Sequence, residues 1–157
     1  MQGYQVTVER VIPAPADKIF DILADPSRHA LIDGSGMVQG MHSSAEPRLA
    51  LGTLFKMSMR AAWLPYSTVS RVIEFEEDRR IAWKTGPEGF MGRVLAGRVW
   101  RFELEPVAEG TVVRETWDIT EDHQRALLKL GDLYSGKTRR DIERTLERLG
   151  EVLAGPG

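Results

Sequence analysis

The chain has 157 residues, 42% hydrophobic and 28% charged, which suits one globular domain over residues 1–157 with a buried core. A formal charge of -2 argues against a nucleic-acid partner, and the absence of cysteine excludes disulfides, thiolate metal sites and a cysteine nucleophile. No apolar run approaches the ~20 residues of a membrane span, and the start, Met1-Gln-Gly-Tyr-Gln-Val, lacks the basic and apolar regions of a signal peptide, so a cytoplasmic location is expected.

Residues 4–12 alternate Tyr4, Val6 and Val8 against Gln5, Thr7 and Glu9, a first strand that Pro13 and Pro15 end. Lys18-Ile-Phe-Asp-Ile-Leu-Ala reads as a short helix with an apolar face of Ile19, Phe20, Ile22 and Leu23. Asp25-Pro26 opens a second short helix, Asp25 as cap, which Asp33-Gly-Ser-Gly breaks. Six strands follow, at residues 37–42, 51–61, 66–76, 80–85, 98–105 and 111–120. The glycine-rich interval 86–97 reads as a mobile loop or a frayed strand start. From residue 121 to 154 the pattern is helical. Ile142, Leu146, Leu149 and Leu153 form one stripe, while Gly131 and Gly136 separate that helix from a shorter amphipathic piece carrying Leu127, Leu130 and Leu133. The fold class is therefore α+β: about seven strands in one curled antiparallel sheet, with the long C-terminal helix filling its concave side.

Matching apolar faces sets the registers. Across the turn at 107–110, Leu104 falls by Val113, Phe102 by Glu115, Trp100 by Trp117 and Arg98 by Ile119. The turn at 77–78 pairs Phe75 with Ile81, Ile73 with Trp83 and Arg71 with Thr85. The turn at 62–65 pairs Phe55 with Ile73, Met57 with Arg71 and Met59 with Val69. Across the glycine-rich interval Trp83 meets Trp100 and Thr85 meets Arg98. Antiparallel order puts the connections 62–65, 86–97 and 120–136 at one end, taken as the mouth of a cavity.

The concave face so assembled carries Phe55, Met57, Met59, Arg71, Trp83, Arg98, Trp100, Phe102 and Trp117 as candidate ligand contacts. The indoles suit an aromatic or polycyclic ligand, and the guanidinium groups a carboxylate or phosphate. Each has a plainer explanation: tryptophans fill cores, and arginines snorkel or pair with a carboxylate. Glu115 is a candidate general base with its pKa raised by aromatic walls, or an internal partner for an arginine. His29, four residues before Asp33, is a second candidate acid or base, unless both simply finish a surface helix. His42 and His123 have no metal-ligand spacing, and Ser35 in Gly34-Ser-Gly is too short a match for a nucleophile elbow, so neither metal nor cofactor is expected. Lys129, Lys137, Arg139 and Arg140 give the mouth a basic rim.

Two stretches resemble a known family. Val8-Glu-Arg-Val-Ile-Pro-Ala-Pro-Ala-Asp-Lys-Ile-Phe-Asp-Ile-Leu-Ala-Asp-Pro is similar to the opening of the START-related, birch-pollen-allergen-like superfamily, in its polyketide cyclase/dehydrase branch. Gly97-Arg-Val-Trp-Arg-Phe-Glu-Leu-Glu-Pro and Gly110-Thr-Val-Val-Arg-Glu-Thr-Trp-Asp match that branch too. The resemblance implies a helix-grip fold and a small hydrophobic ligand, aromatic, polyketide-like or lipid-like, here with an acidic group. The second reading is a cyclase or dehydratase using the same cavity, with Glu115 or His29 for proton transfer, and the third a carrier or co-chaperone-like interaction module. Monomer and homodimer both stay open.

Overall fold

A computed structural model describes residues 1–89 and 97–155. The chain runs β1 (Gln5–Ile12), α1 (Ala16–Leu23), a 3-10 turn (Pro26–Arg28), α2 (His29–Ile32), β2 (Val38–Ser44), β3 (Leu54–Ala61) and β4 (Leu64–Glu76). It continues through β5 (Arg80–Pro87), β6 (Arg98–Val107) and β7 (Gly110–Asp118) to α3 (Arg125–Ser135) and α4 (Lys137–Ala154). The seven strands lie in the order β1-β7-β6-β5-β4-β3-β2, with every neighbouring pair antiparallel. Among the described residues no helix is long and apolar enough to cross a membrane. The loop expected at 86–97 starts later, because Gly86 and Pro87 still belong to β5, and residues 90–96 lie outside the described residues.

Local chemistry explains the short elements. Asp25 caps the 3-10 turn, its carboxylate accepting from the Ser27 amide at 3.1 Å, and Pro26 takes the first turn. Ile19, Phe20, Ile22 and Leu23 of α1 are all buried under the sheet. In the C-terminal helix α4 the expected stripe is buried at Ile142, Leu146 and Leu149 and half-buried at Leu153. Thr145 sits on the same buried side: its hydroxyl accepts from the Gly34 amide at 2.9 Å and donates to the Asp141 carbonyl at 3.0 Å. Only glycine fits at position 34, since a Cβ there would collide with the α4 backbone at Asp141 and Thr145. Arg148 also donates to the Asp33 carbonyl, so the loop after α2 is fastened to α4 at two points. Gly131 lies inside α3 rather than at its end; the break falls at Gly136 alone, where a left-handed φ of 56° turns the chain into α4.

Half of the expected registers hold. Leu104↔Val113, Phe102↔Glu115 and Trp100↔Trp117 stand between β6 and β7, and Trp83↔Trp100 and Thr85↔Arg98 between β5 and β6. Phe75↔Ile81 holds as well. A bulge between Val72 and Glu74 then shifts β4 by one residue. Ile73 is the extra residue and turns to solvent, while Val72 takes the place opposite Trp83. Upstream of the bulge every face is exchanged. Ser70 pairs with Thr85 and Phe55, Met57 with Thr68, and Met59 with Tyr66. Arg71 therefore lies on the outer face between Leu54 and Lys84, exposed, and not on the concave side where unbroken alternation puts it.

The buried stripe of α4 makes the fold testable. Leu146→Ala is expected to cost about 2–5 kcal/mol in chemical denaturation, as a large-to-small change at a fully buried site. A loss below ~0.5 kcal/mol contradicts the packing of α4 on the sheet.

Candidate functional site on the concave face

The inner face sorts into two aromatic groups. Trp83 is flanked by His29, stacked at 4.9 Å and 20°, by Phe55 edge-on at 5.7 Å, and by Phe102 at 5.7 Å. Trp100 and Trp117 form the second group, 6.3 Å apart and tilted by 38°. Phe55, Met57, Phe102 and Trp117 are buried, whereas Met59, Trp83 and Trp100 are half-buried. The three indoles are neighbours along the face, but they are not one continuous stack.

Glu115 stands among these rings, opposite Phe102 on one side and Val8 on the other. It is buried, and its Oε2 has no hydrogen-bond partner among the described residues. Burial pushes its carboxyl well above the ordinary range, and the nearby Asp33 carboxylate pushes the same way. The protonated form is favoured, which makes Glu115 a hydrogen-bond donor or an acid rather than a ready base. Among the described residues no arginine reaches it.

His29 is buried too, and burial lowers its pKa, only partly opposed by the Leu23 carbonyl and Asp25. The neutral ring points Nε2 at the Leu23 carbonyl, 2.8 Å away. A carbonyl only accepts, so Nε2 carries the proton and Nδ1 is left as an acceptor. Asp33, the expected orienting group, does not touch the ring. Its carboxylate instead accepts from the Ser35 amide at 3.1 Å, the Ser35 hydroxyl at 2.8 Å and the Val38 amide at 3.1 Å.

Arg98 starts β6 on the inner face as expected, but its partner is Asp122, with Nε 3.3 Å from Oδ2. The guanidinium side chain is 42% exposed while that of Asp122 is wholly buried, and the other Asp122 oxygen accepts from the Gln124 amide at 2.7 Å. Close approach is possible because a Cβ at Gly97 would strike the Asp122 backbone. Tyr66 joins the same rim: burial raises its pKa, the Arg98 charge works against this, and Asp33 adds to it. Tyr66 and Asp122 escape a reading of alternation, since one sits upstream of the bulge and the other in an irregular turn. A seryl–threonyl pair, Ser70 and Thr85 at 2.8 Å, occupies the place assigned to Arg71.

Among the described residues no three His, Asp or Glu side chains converge as metal ligands. Two open grooves, of about 360 Å³ beside Met59 and Tyr66 and about 510 Å³ between Arg10 and Arg144, are not lined by Glu115, Trp83 or Trp100, although the second includes Val8, the cross-strand partner of Glu115. Neither is lined by the convergent polar and aromatic groups that the concave face offers.

Comparison with known proteins agrees with this architecture. The profile of the family described as polyketide cyclase / dehydrase and lipid transport matches residues 4–154. An uncharacterised protein of Mycobacterium tuberculosis is 31% identical over 150 residues, covering 91% of this chain and 61% of that protein. The chain thus spans about three fifths of the curated relatives it matches. A crystal structure from Nitrosomonas europaea superposes with a TM-score of 0.68 at 15% identity, covering 98% of this chain and 97% of the other. The solution structure of a polyketide-cyclase-like protein from Corynebacterium glutamicum gives 0.61 at 20% identity, covering 98% and 94%. Such distant likenesses establish the shared fold.

Two measurements follow from the geometry. Arg98→Met leaves the buried Asp122 carboxylate with only the Gln124 amide, and is expected to cost about 1–2 kcal/mol, the lower part of the range for a charged hydrogen bond because the guanidinium is partly solvated. A melting curve unchanged from wild type contradicts the pair. Glu115 gives a pH test. Its folded pKa is raised, so its contribution to stability is complete below the unfolded value of ~4.3 and is lost as pH rises from there toward the folded value. Glu115→Gln removes that slope, so above about pH 5 the wild type should lose stability relative to the variant by up to ~1.4 kcal/mol per pH unit. His29, with its lowered pKa, loses stability in the opposite direction, as pH falls below ~6.5, and cancels in the comparison. Parallel profiles for the two proteins contradict the buried acid.

Proposed function

Because the chain belongs to the polyketide cyclase, dehydrase and lipid-transport family, we propose that it binds a small hydrophobic molecule between the concave sheet face and α4, through an aromatic wall and one hydrogen bond from Glu115. The observation that carries this reading is the buried, unpartnered Oε2 of Glu115 on a face otherwise built of Phe102, Trp100, Trp117 and Val8. Leaving such a group unsatisfied costs about 1–3 kcal/mol, and a ligand acceptor offsets that loss. A neutral carboxyl donates best to a carbonyl or hydroxyl oxygen, as found in polyketides, quinones and lipid acyl groups. Trp83 and Trp100, half-buried, supply surface for a ring or chain, and Met59 adapts to its shape. Arg98, tied to Asp122, is weakened as the seat of an acidic group, and Arg71 on the outer face drops out. An oxygenated apolar ligand fits the interior better than an anionic one.

A cyclase or dehydratase is the second reading, favoured by the same carboxyl. A carboxyl whose pKa is raised by burial can protonate a leaving hydroxyl or polarise a carbonyl for ring closure. His29 is a weaker candidate for proton transfer, because its Nε2–H is bound to a backbone carbonyl; only Nδ1 is free to accept.

Native mass spectrometry of freshly purified protein tests both. Wild type and Glu115→Gln, which preserves a donor, should carry the same retained small molecule, while Glu115→Leu should lose it by about tenfold in occupancy, in line with ~1–3 kcal/mol for leaving its buried acceptor unpaired. Retention by the leucine variant contradicts the role of Glu115. Return of the extracted compound unchanged marks a carrier. Conversion by wild type but not by Glu115→Gln marks an enzyme.

A further inference from the structure

The helix α3 has no buried residue, although it carries a long apolar stripe. At ~3.6 residues per turn, Leu127, Leu130, Leu133 and Tyr134 fall on one side, and Leu128 falls opposite them. Leu128 packs against the core, and on its flank Lys129 and Arg125 rest over the Tyr4 ring at 4.9 and 5.4 Å. Those contacts hold the helix from below and turn the stripe outward: all four of its residues are exposed, Tyr134 at 88%. At the same end of the sheet the β3–β4 turn presents Trp63, 84% exposed, followed by Leu64. Exposed apolar side chains gathered along one helix face of a folded domain mark something that covers them.

Charge decides among the candidates. Residues 125–140 hold five basic side chains and one acidic, in a chain whose overall balance is -2. Lys137 is paired with Asp141, and Arg125 and Lys129 lie over Tyr4, which leaves Arg139 and Arg140 as the like charges that a two-fold dimer through this stripe would bring together. Anionic lipid headgroups attract them. An amphipathic helix with leucines on one face and lysine and arginine around it is suited to lie in a membrane interface, and an indole at a turn tip prefers that depth. We infer that the mouth end of the domain docks on an anionic bilayer surface through the stripe of α3 and Trp63, with Arg139 and Arg140 at the α3–α4 junction contacting headgroups.

The surface stands apart from the interior ligand: vesicle binding without a retained molecule, or the reverse, separates the two ideas. The test is co-sedimentation with phosphatidylcholine vesicles prepared with and without phosphatidylglycerol. Wild type should pellet with the anionic vesicles and be released at high salt. Leu130→Glu with Leu133→Glu, at exposed positions, should keep the wild-type melting curve and weaken binding at least about tenfold; Arg139→Glu with Arg140→Glu should do the same for the anionic vesicles. Should the leucine variant melt early, the blue shift of intrinsic fluorescence on vesicles, lost in Trp63→Ser, reads the same contact. Wild type that stays in the supernatant with both vesicles overturns the inference, as does pelleting unchanged by these substitutions. A dimer in light scattering that Leu130→Glu splits, without vesicle binding, gives the face to a second copy and also overturns it.

Discussion

The seating of α4 in the curve of the sheet sets the position of every group at the site. Its contact side is apolar at Ile142, Leu146 and Leu149, with one polar insertion, the Thr145 hydroxyl. That hydroxyl accepts from Gly34 and donates to Asp141, so it is satisfied at both ends, and burying it costs little. The same bond draws the loop after α2 against the helix, and Arg148 secures the neighbouring carbonyl. Asp33 is thereby held close enough to raise the Glu115 pKa further. Sheet curvature, helix docking and the electrostatics of the interior are thus parts of one arrangement.

Two ionisable groups on the inner face, His29 and Glu115, are shifted toward their neutral forms for the same reason. Removing a charge from water into an apolar setting is costlier than shifting its proton equilibrium. For His29 the protein supplies a carbonyl to take its one N–H and an indole to lie against its ring. For Glu115 it supplies no partner among the described residues. One group is finished by the fold and the other is left open, an asymmetry that supports the binding role proposed for Glu115.

Alternation along the strands, the tight turns and the helical stripe made the sheet, its run from β3 to β7 and α4 readable from the sequence, while the place of β1 beside β7 was not. The β6–β7 register was legible because Trp100, Phe102 and Leu104 alternate without interruption and face Val113 and Trp117 across a short turn. On β4 the same logic failed. Val72 and Ile73 are adjacent and both apolar, so either could be the inward residue, and parity carried down from Phe75 chose the wrong one. The candidates downstream of that choice divided accordingly: Trp83, Trp100, Phe102, Trp117 and Glu115 lie on the concave face, as do Phe55, Met57 and Met59 on their own uninterrupted strand, while Arg71 does not. The partners of Arg98 and His29 were hidden for another reason. Asp122 sits in an irregular turn and the Leu23 carbonyl belongs to the backbone, and neither leaves a mark in side-chain pattern.

The bulge at Ile73 has a consequence for comparing this chain with its relatives. One extra residue in the middle of a strand leaves both ends of β4 well formed, so relatives with and without it can share a strand of similar length and hydropathy. Ungapped alignment of such a pair would match Arg71 to an inward position upstream of the bulge and hide Ser70 and Thr68 on the outside. A single-residue gap at Ile73 restores the correspondence, and a deletion there would exchange the two surfaces of the upstream half-strand, an outcome far more disruptive than any substitution at so exposed a side chain.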